Sequence, residues 1–454
     1  MATLPVKTPE KGHHLMTSAP NQSPHLFLQL AQKYGNVFSL RLGRSRIVVV
    51  NGYKMAKEAL VNQPDAVPSR PSDPIMGCLT SNLSPSTRPG VVLSSGYRWK
   101  QHRRFMLTTL RNFGVGKKSL ESTIIEELGY FRQAIQEEQG RPFEPHFLIN
   151  NAIANIICSM VFGRRFEYSD QRFQELLHLI FEALLSGMPP GSLPCSKKLL
   201  VLPGRHHVMF SDYDKVVEFL RSEIEEHKKD WDPAAPRDFI DCYLEEIEMV
   251  TNLSYTLLDL FVAGTETTST TLRWALLYLM KYQDVQEKVQ KEIDAVLGRD
   301  QPPSMQDRTN LPYTDAVIHE IQRMADIVPL NMARKADEEF SLGGCIIPKN
   351  TTVLVNLNSV LFDEEEWDDP FTFKPERFLD ANGKFSKNDA FFVFSAGKRS
   401  CLGEPLARME LFLFFTSLLQ RFTFQPPEGV EPTLDFQMGL TRVPVLYNIR
   451  AIPR

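Results

Sequence analysis

Apolar residues recur at three-and-four spacing over 119–138, 147–162, 173–185 and 213–229, the rhythm that lays one apolar stripe along a helix. The spacing predicts a mostly helical chain from Tyr97 to about Asn448, with Pro and Gly gathered in the joints. Ahead of it, 24–34 reads as a helix. Residues 37–42 and 46–50 read as two β-rich runs around a short Gly-containing turn, hence a hairpin. Residues 53–60 return to helical spacing, and 64–90 are irregular and crowded with Pro and Ser. Strand-like runs reappear at 345–347, 352–356, 422–424 and 445–451. The expected fold class is therefore mainly α with small β-sheets (α+β), a large helical lobe beside a small β-rich one. The acidic run 363–369 reads as a solvated helix face, and no internal repeat is visible.

Bulk properties narrow the picture only slightly. At 454 residues, without a linker-like break, the chain reads as one two-lobed domain over 25–454 behind a polar, Pro-containing and flexible segment 1–24. A formal charge of -4 gives no sign of nucleic-acid binding. Six cysteines are scattered without C-x-x-C pairs, which argues against a disulfide framework or a zinc site and for a reducing compartment. No run of about 18 apolar residues exists; the longest candidate, 253–280, is broken by Asp259, Glu266 and Arg273.

The informative stretch is Phe394-Ser-Ala-Gly-Lys-Arg-Ser-Cys-Leu-Gly403. Gly397 and Gly403 are expected to take backbone conformations closed to other residues, folding the loop around the Cys401 sulfur. A helix starting near Glu404 or Pro405 would aim its amides at that sulfur, and Arg399 would add positive charge, so the thiol is expected to ionise easily. Such a sulfur serves as nucleophile, redox sensor or metal ligand, and the bland alternative is a buried cysteine in a tight turn. The flanking residues decide. Phe394, Gly397, Arg399, Cys401 and Gly403 fit F-x-x-G-x-R-x-C-x-G, and the stretch resembles the haem-binding loop of the cytochrome P-450 monooxygenases.

That resemblance assigns further residues. Ala263-Gly-Thr-Glu-Thr-Thr268 sits inside an otherwise apolar helix, where glycine and clustered threonines are poor helix formers. Gly264 and a diverted backbone hydrogen bond would open a polar notch; the plainer alternative is a small-residue helix contact. The motif resembles the family's oxygen-activation segment, in which Thr267 would hydrogen-bond the oxygen being activated and Glu266 would help relay protons. Trp99 and Arg103, one turn apart in W-x-x-x-R, would bind haem propionates together with Arg399, and Arg70 and Arg334 stand where relatives place further propionate contacts. Glu320, Arg323 and Arg377 resemble the family's buried Glu-Arg-Arg lock.

Lys100, Arg104, Lys117, Lys118 and Lys398 form a basic set suited to steering an acidic electron donor. The implied cofactor is heme b (iron protoporphyrin IX), with NADPH acting indirectly through a separate NADPH-cytochrome P-450 reductase and cytochrome b5 as a further partner. No Gly-rich dinucleotide fingerprint is present, in agreement with an external reductase. The resemblance is nearest to the vertebrate microsomal second family, which oxidises drugs and unsaturated fatty acids. It implies an apolar substrate, a membrane surface and the cytosolic face of the endoplasmic reticulum.

Against that pattern the leading anchor is absent, so the chain reads as truncated or anchored otherwise. Residues 71–90 look long and 248–255 short, while 199–203 reads either as a membrane-touching or channel-lining run or as core. Two other readings compete: a haem-thiolate peroxide isomerase needing no reductase, which the Glu266-Thr267 pair argues against, and a non-catalytic haem-binding relative.

Overall fold

A computed structural model of the chain describes residues 2–3, 23–42, 45–71, 88–186, 205–246 and 250–454. The expectations for most of 1–24, most of 71–90, the run 199–203 and the start of 248–255 lie outside those residues.

Helix α1 (Ser23–Tyr34) leads into β2 (Val37–Leu42) and β3 (Ser45–Val50), which pair antiparallel with Val37 opposite Val50. The hairpin then gains distant partners. β3 runs parallel to β7 (Thr352–Val355), whose other edge takes β4 (Arg334–Lys335), giving the four-stranded order β2-β3-β7-β4. The continuous run Ile47-Val-Val-Val50 is buried throughout, as a strand paired on both sides and covered on both faces requires. β5 (Phe340–Leu342) and β6 (Cys345–Ile347) form a second hairpin across Gly343-Gly344, both with positive φ, and β1 (Ala2–Thr3) pairs parallel with β6.

The helical part is built on α9 (Val250–Lys281), which packs against α5 (His146–Val161), α7 (Arg205–Lys229), α11 (Pro312–Ala325) and α13 (Glu404–Arg421). Leu253, Leu257, Phe261, Trp274 and Leu277 of α9 are buried in the main core. Hydrophobic association of this kind, at about 25 cal/mol per Å² of apolar surface, is the main term holding the helices together. α3 (Gly96–Asn112), α4 (Lys118–Glu137), α6 (Gln171–Ser186), α8 (Phe239–Glu246) and α10 (Gln283–Val296) complete the layer around it. Among the described residues no helix is long and apolar enough to cross a membrane.

The pattern-based elements stand within a few residues, with four corrections. The stretch 53–60 is a short helix α2 (Tyr53–Lys57) that widens into a π-type turn, Glu58–Asn62. Helix α7 begins at Arg205, well ahead of 213, because its first turns are more polar than the apolar repeat that marks the rest. The run 445–451 is not one strand: β10 (Arg442–Pro444) pairs with β9 (Phe436–Met438), β11 (Arg450–Pro453) pairs with β8 (Phe422–Gln425), and the residues between leave both sheets. The acidic run 363–369 is a set of turns rather than a helix face. There Asp363 accepts the Tyr53 amide at 2.9 Å, and the Asp368 and Asp369 carbonyls accept Arg377.

Candidate active site

The sulfur of Cys401 lies between a 3-10 turn, Gly397–Arg399, and the start of α13 at Glu404. The Cys401 amide donates to the Phe394 carbonyl at 2.9 Å and closes the loop, while Ser395 adopts φ +58°. Gly397 is indispensable: at φ +72°, a Cβ there would lie 1.8 Å from the Leu60 carbonyl oxygen. Gly403 is not. Its φ of -87° is open to other residues, and an added Cβ would meet Sγ only at an ordinary 3.8 Å, which corrects the expectation for that position.

Two further expectations for the sulfur are corrected. Burial pushes the Cys401 thiol above its usual range, although the amides of Gly403 and Glu404 and the Arg103 charge pull it down, so the loop by itself does not make an easily ionised thiol. The residue nevertheless retains an exposed surface. The nearby positive charge comes from Arg103, not Arg399. Arg399 turns away, donating to the carbonyls of Pro68, Val91 and Ser94 at 2.7, 3.2 and 2.6 Å.

Around this loop the fold gathers Arg70, Arg103, Arg334 and Arg399. Arg70 donates to the carbonyls of Val92, Met332 and Ala333, Arg103 to that of Ser400 at 2.6 Å, and Arg334 to the Ser395 hydroxyl at 3.2 Å. All four side chains donate to neutral oxygens; none forms an ion pair with a carboxylate among the described residues. Burial, then the other arginines, lower Arg334 to about 9 and Arg399 to about 8; burial lowers Arg70 to about 10, with Asp259 opposing. The Arg399 guanidinium lies 3.8 Å from the centroid of the buried Trp99 ring, and neither the Trp99 Nε1 nor the Arg334 Nε has a hydrogen-bond partner among the described residues. Buried like charges and orphaned donors beside an exposed cysteine are what a flat cofactor with two carboxylates requires, so the residues present fit haem b.

On α9, Ala263 is exposed and Thr267 partly so, while Thr265, Glu266, Thr268, Ser269 and Thr270 are buried. The helix therefore shows one small open strip within a packed length. The Thr267 hydroxyl donates to the Ala263 carbonyl at 2.7 Å, the bond to the preceding turn foreseen for this motif. Burial raises the Glu266 carboxyl to about 7, with the Thr270 hydroxyl at 2.9 Å and the Arg273 charge acting against it. Gly264 does not face the open strip. A Cβ there would lie 2.6 Å from Ile157 Cδ1, so the glycine serves the contact between α9 and α5, the plainer of the two readings.

Sequence reasoning missed two carboxylates. Asp259 accepts the amides of Val91 and Val92 at 2.6 and 2.9 Å, and Gly90, at φ +74°, leaves room for it. Val91 is thereby held from both sides, its N–H by α9 and its carbonyl by Arg399. Glu410 is buried in α13, accepts the Thr268 hydroxyl at 3.0 Å and is pushed up by burial to about 8. A carboxylate inside a long apolar run was the available signal for each.

Glu320, Arg323 and Arg377 do meet. Arg323 holds Glu320 through two bonds of 2.8 and 2.9 Å, Arg377 adds one at 3.0 Å, and the two guanidiniums take the carbonyls of Leu361, Pro370, Asp368, Asp369 and Thr372. The cluster fastens the turns before the sulfur loop to α11. Of the basic set, Lys100, Arg104, Lys117 and Lys118 are exposed, whereas Lys398 is paired with Asp65.

Comparison with known proteins agrees with this geometry. The cytochrome P450 family model matches residues 3–451. The chain is 48% identical over 449 residues to cytochrome P450 2J2 of Homo sapiens, covering 95% of this chain and 88% of the relative. It is likewise 48% identical over 450 residues to cytochrome P450 2J1 of Oryctolagus cuniculus, at the same coverage of each. With cytochrome P450 2D28 of Mesocricetus auratus it shares 43% identity over 464 residues, 99% of this chain and 92% of the relative. The chain therefore belongs to the cytochrome P450 family, the haem-thiolate monooxygenases that insert one oxygen atom from O2 into apolar molecules with electrons passed from NADPH through a separate reductase.

Proposed function

We propose that Cys401 would be the sulfur ligand of haem b, that Phe394 and Gly397 shape its loop, and that Trp99, Arg103, Arg399, Arg70 and Arg334 would hold the propionates. The observation that carries this reading is the group of three buried arginines, Arg70, Arg334 and Arg399, with the half-buried Arg103 beside them, none of which has a carboxylate partner among the described residues. Bound there, haem b supplies the redox chemistry and the O–O cleavage that a thiolate ligand favours.

The chain's own residues supply position and protons. Arg103 and the amides of Gly403 and Glu404 favour the anionic sulfur against its burial. Glu266, its carboxyl raised by burial to about 7, is poised to take up and give up a proton near neutral pH, and Thr267 presents a hydroxyl on the open strip one residue away. Thr267 and Glu266 are thus the proton-handling pair, and the packed helices around α9 keep bulk water out.

The substrates we assign are apolar small molecules of the xenobiotic, unsaturated fatty-acid or steroid type, with residues 25–454 as one catalytic domain. The support is similarity to family-2 cytochromes P450. The exposed cations Lys100, Arg104, Lys117 and Lys118 are the docking face for an acidic electron donor, the reductase or cytochrome b5. The same similarity supports a place at the cytosolic face of the endoplasmic reticulum membrane.

The test is the reduced, carbon monoxide-treated protein. The red-shifted Soret band of a thiolate ligand is expected and should vanish in Cys401→His that still carries haem. An imidazole-type spectrum in the unmutated protein would overturn the assignment. Turnover that depends on NADPH and reductase separates a monooxygenase from a peroxide isomerase.

A further inference from the structure

Two turns along α9 from Glu266, on the same face, stands Arg273. Its side chain is 1% exposed. Only Nη2 has a partner, the Pro444 carbonyl at 3.2 Å; Nε and Nη1 have none among the described residues. A buried guanidinium with two orphaned positions is costly unless something polar fills the space beside it.

Tyr447, Glu266 and Glu144 all act on its charge, while the nearby His146 packs on the Phe147 and Phe181 rings. The Tyr447 hydroxyl donates to the Arg273 carbonyl at 2.6 Å. The paired bonds between Phe143 and Ile449, 3.0 and 2.9 Å, bring the segment before α5 against the C-terminal segment and so place Glu144 and His146 there. Glu144 accepts the His146 amide at 2.8 Å, and the Arg273 charge pulls the Glu144 carboxyl down against burial, just as it does Glu266. His146 is fully buried, kept neutral by burial and by Arg273, and its Nδ1 also lacks a partner, as does Oδ1 of the adjacent Asn150. Glu144 itself is half-buried and reaches the surface.

Orphaned donors and acceptors on buried groups that feel the same charge are the conditions under which ordered water is retained, each molecule needing two to four polar neighbours. We propose that Glu266, Thr270, Arg273, His146, Tyr447 and Glu144 border a buried, water-holding polar seam that opens to solvent at Glu144 and returns to Glu266 each proton it gives up.

This rests on the reading of Glu266 as a proton donor. The balance is simple: one proton enters at the Glu144 carboxylate for each one leaving Glu266, the waters between pass it on, and Arg273 orients them without losing its own. Arg273 is a positioning residue; it does not touch the reacting atoms.

The experiment uses the haem-loaded enzyme with its reductase, comparing Glu144→Gln, Arg273→Met, Arg273→Lys and Glu266→Gln. The first readout does not depend on turnover. The infrared band of the protonated Glu266 carboxyl, identified as the band lost in Glu266→Gln, is followed after transfer into D2O. Its exchange should slow at least severalfold in Glu144→Gln and Arg273→Met, with Arg273→Lys between them and the unmutated protein.

The second readout is the peroxide formed per NADPH, which should rise about two- to tenfold in Glu144→Gln at unchanged haem content, with a larger solvent deuterium isotope effect on product formation. If Arg273→Met does not fold, Glu144→Gln at the half-buried exit decides the matter alone. Unmutated exchange and coupling in Glu144→Gln, while Glu266→Gln uncouples, would overturn the seam and leave the role of Glu266 standing. Unmutated coupling in Glu266→Gln would instead overturn the reading on which the seam rests.

Discussion

Arg103 donates to the carbonyl of Ser400, the residue before Cys401, at 2.6 Å, and so ties the W-x-x-x-R helix directly to the cysteine loop. This one bond serves two purposes. It fixes the loop, and it brings a positive charge close enough to favour the thiolate. Arg103→Ala should remove a charge-assisted hydrogen bond worth about 1.5–3 kcal/mol, roughly ten- to hundredfold in haem affinity. The haem-to-protein ratio after dilution measures this, and Arg103→Lys should lie between the two.

Thr267→Ala removes the hydroxyl that lies on the open strip of α9 beside Ala263. The helix should tolerate it, since the hydroxyl bonds only to its own preceding turn. Product per NADPH should fall and peroxide rise by a factor of about ten, within the range of general-acid contributions. Full coupling in this variant would sink the role given to Thr267.

Glu320 neutralises two guanidiniums in a place where its side chain and that of Arg323 are fully buried. Glu320→Ala would leave both uncompensated, at a cost of about 3–5 kcal/mol. The variant should accumulate as protein that does not retain haem, read from the absorbance ratio of the purified material; normal occupancy would contradict the structural role.

Gly264→Ala should cost about 1–3 kcal/mol by forcing a methyl against Ile157 Cδ1. Ile157→Val removes that atom, so the double variant should recover part of the loss. A double-mutant cycle on chemical unfolding tests this, and strict additivity would refute the contact.

Glu410 carries a pH signature. Its folded carboxyl is raised from an ordinary 4.5 to about 8 by burial, so between those values the folded state binds a proton that the unfolded state has lost. Its stabilising contribution is complete below about 4.5 and is lost as pH rises through 8. Glu410→Gln keeps an acceptor for Thr268 and abolishes the titration. Unfolding free energies of the two proteins should differ little near pH 5 and diverge in favour of Glu410→Gln near pH 9, by a few kcal/mol at most.

The residues of the sulfur loop, Trp99 with Arg103, and the Glu320 cluster were legible because the chemistry there depends on side-chain type at fixed local spacing. The same logic failed where backbone geometry or distant partners decide. Gly403 and Gly397 look alike as letters, yet only Gly397 meets a carbonyl from residue 60. Arg399 sits two residues from the sulfur and still spends its charge elsewhere, because Pro68, Val91 and Ser94 offer carbonyls on the other side. Helices with a clear apolar stripe were found to within a few residues. The polar start of α7 and the break at 445–449 carry no such stripe, and Asp259 and Glu410 became meaningful only once residues far along the chain were beside them.

Val91 offers its amide to Asp259 and its carbonyl to Arg399. A single residue therefore joins α9, through Asp259, to the Arg399 side chain two positions ahead of Cys401. A displacement of α9 at Asp259 is thus transmitted to Arg399 across the two hydrogen bonds of one backbone unit.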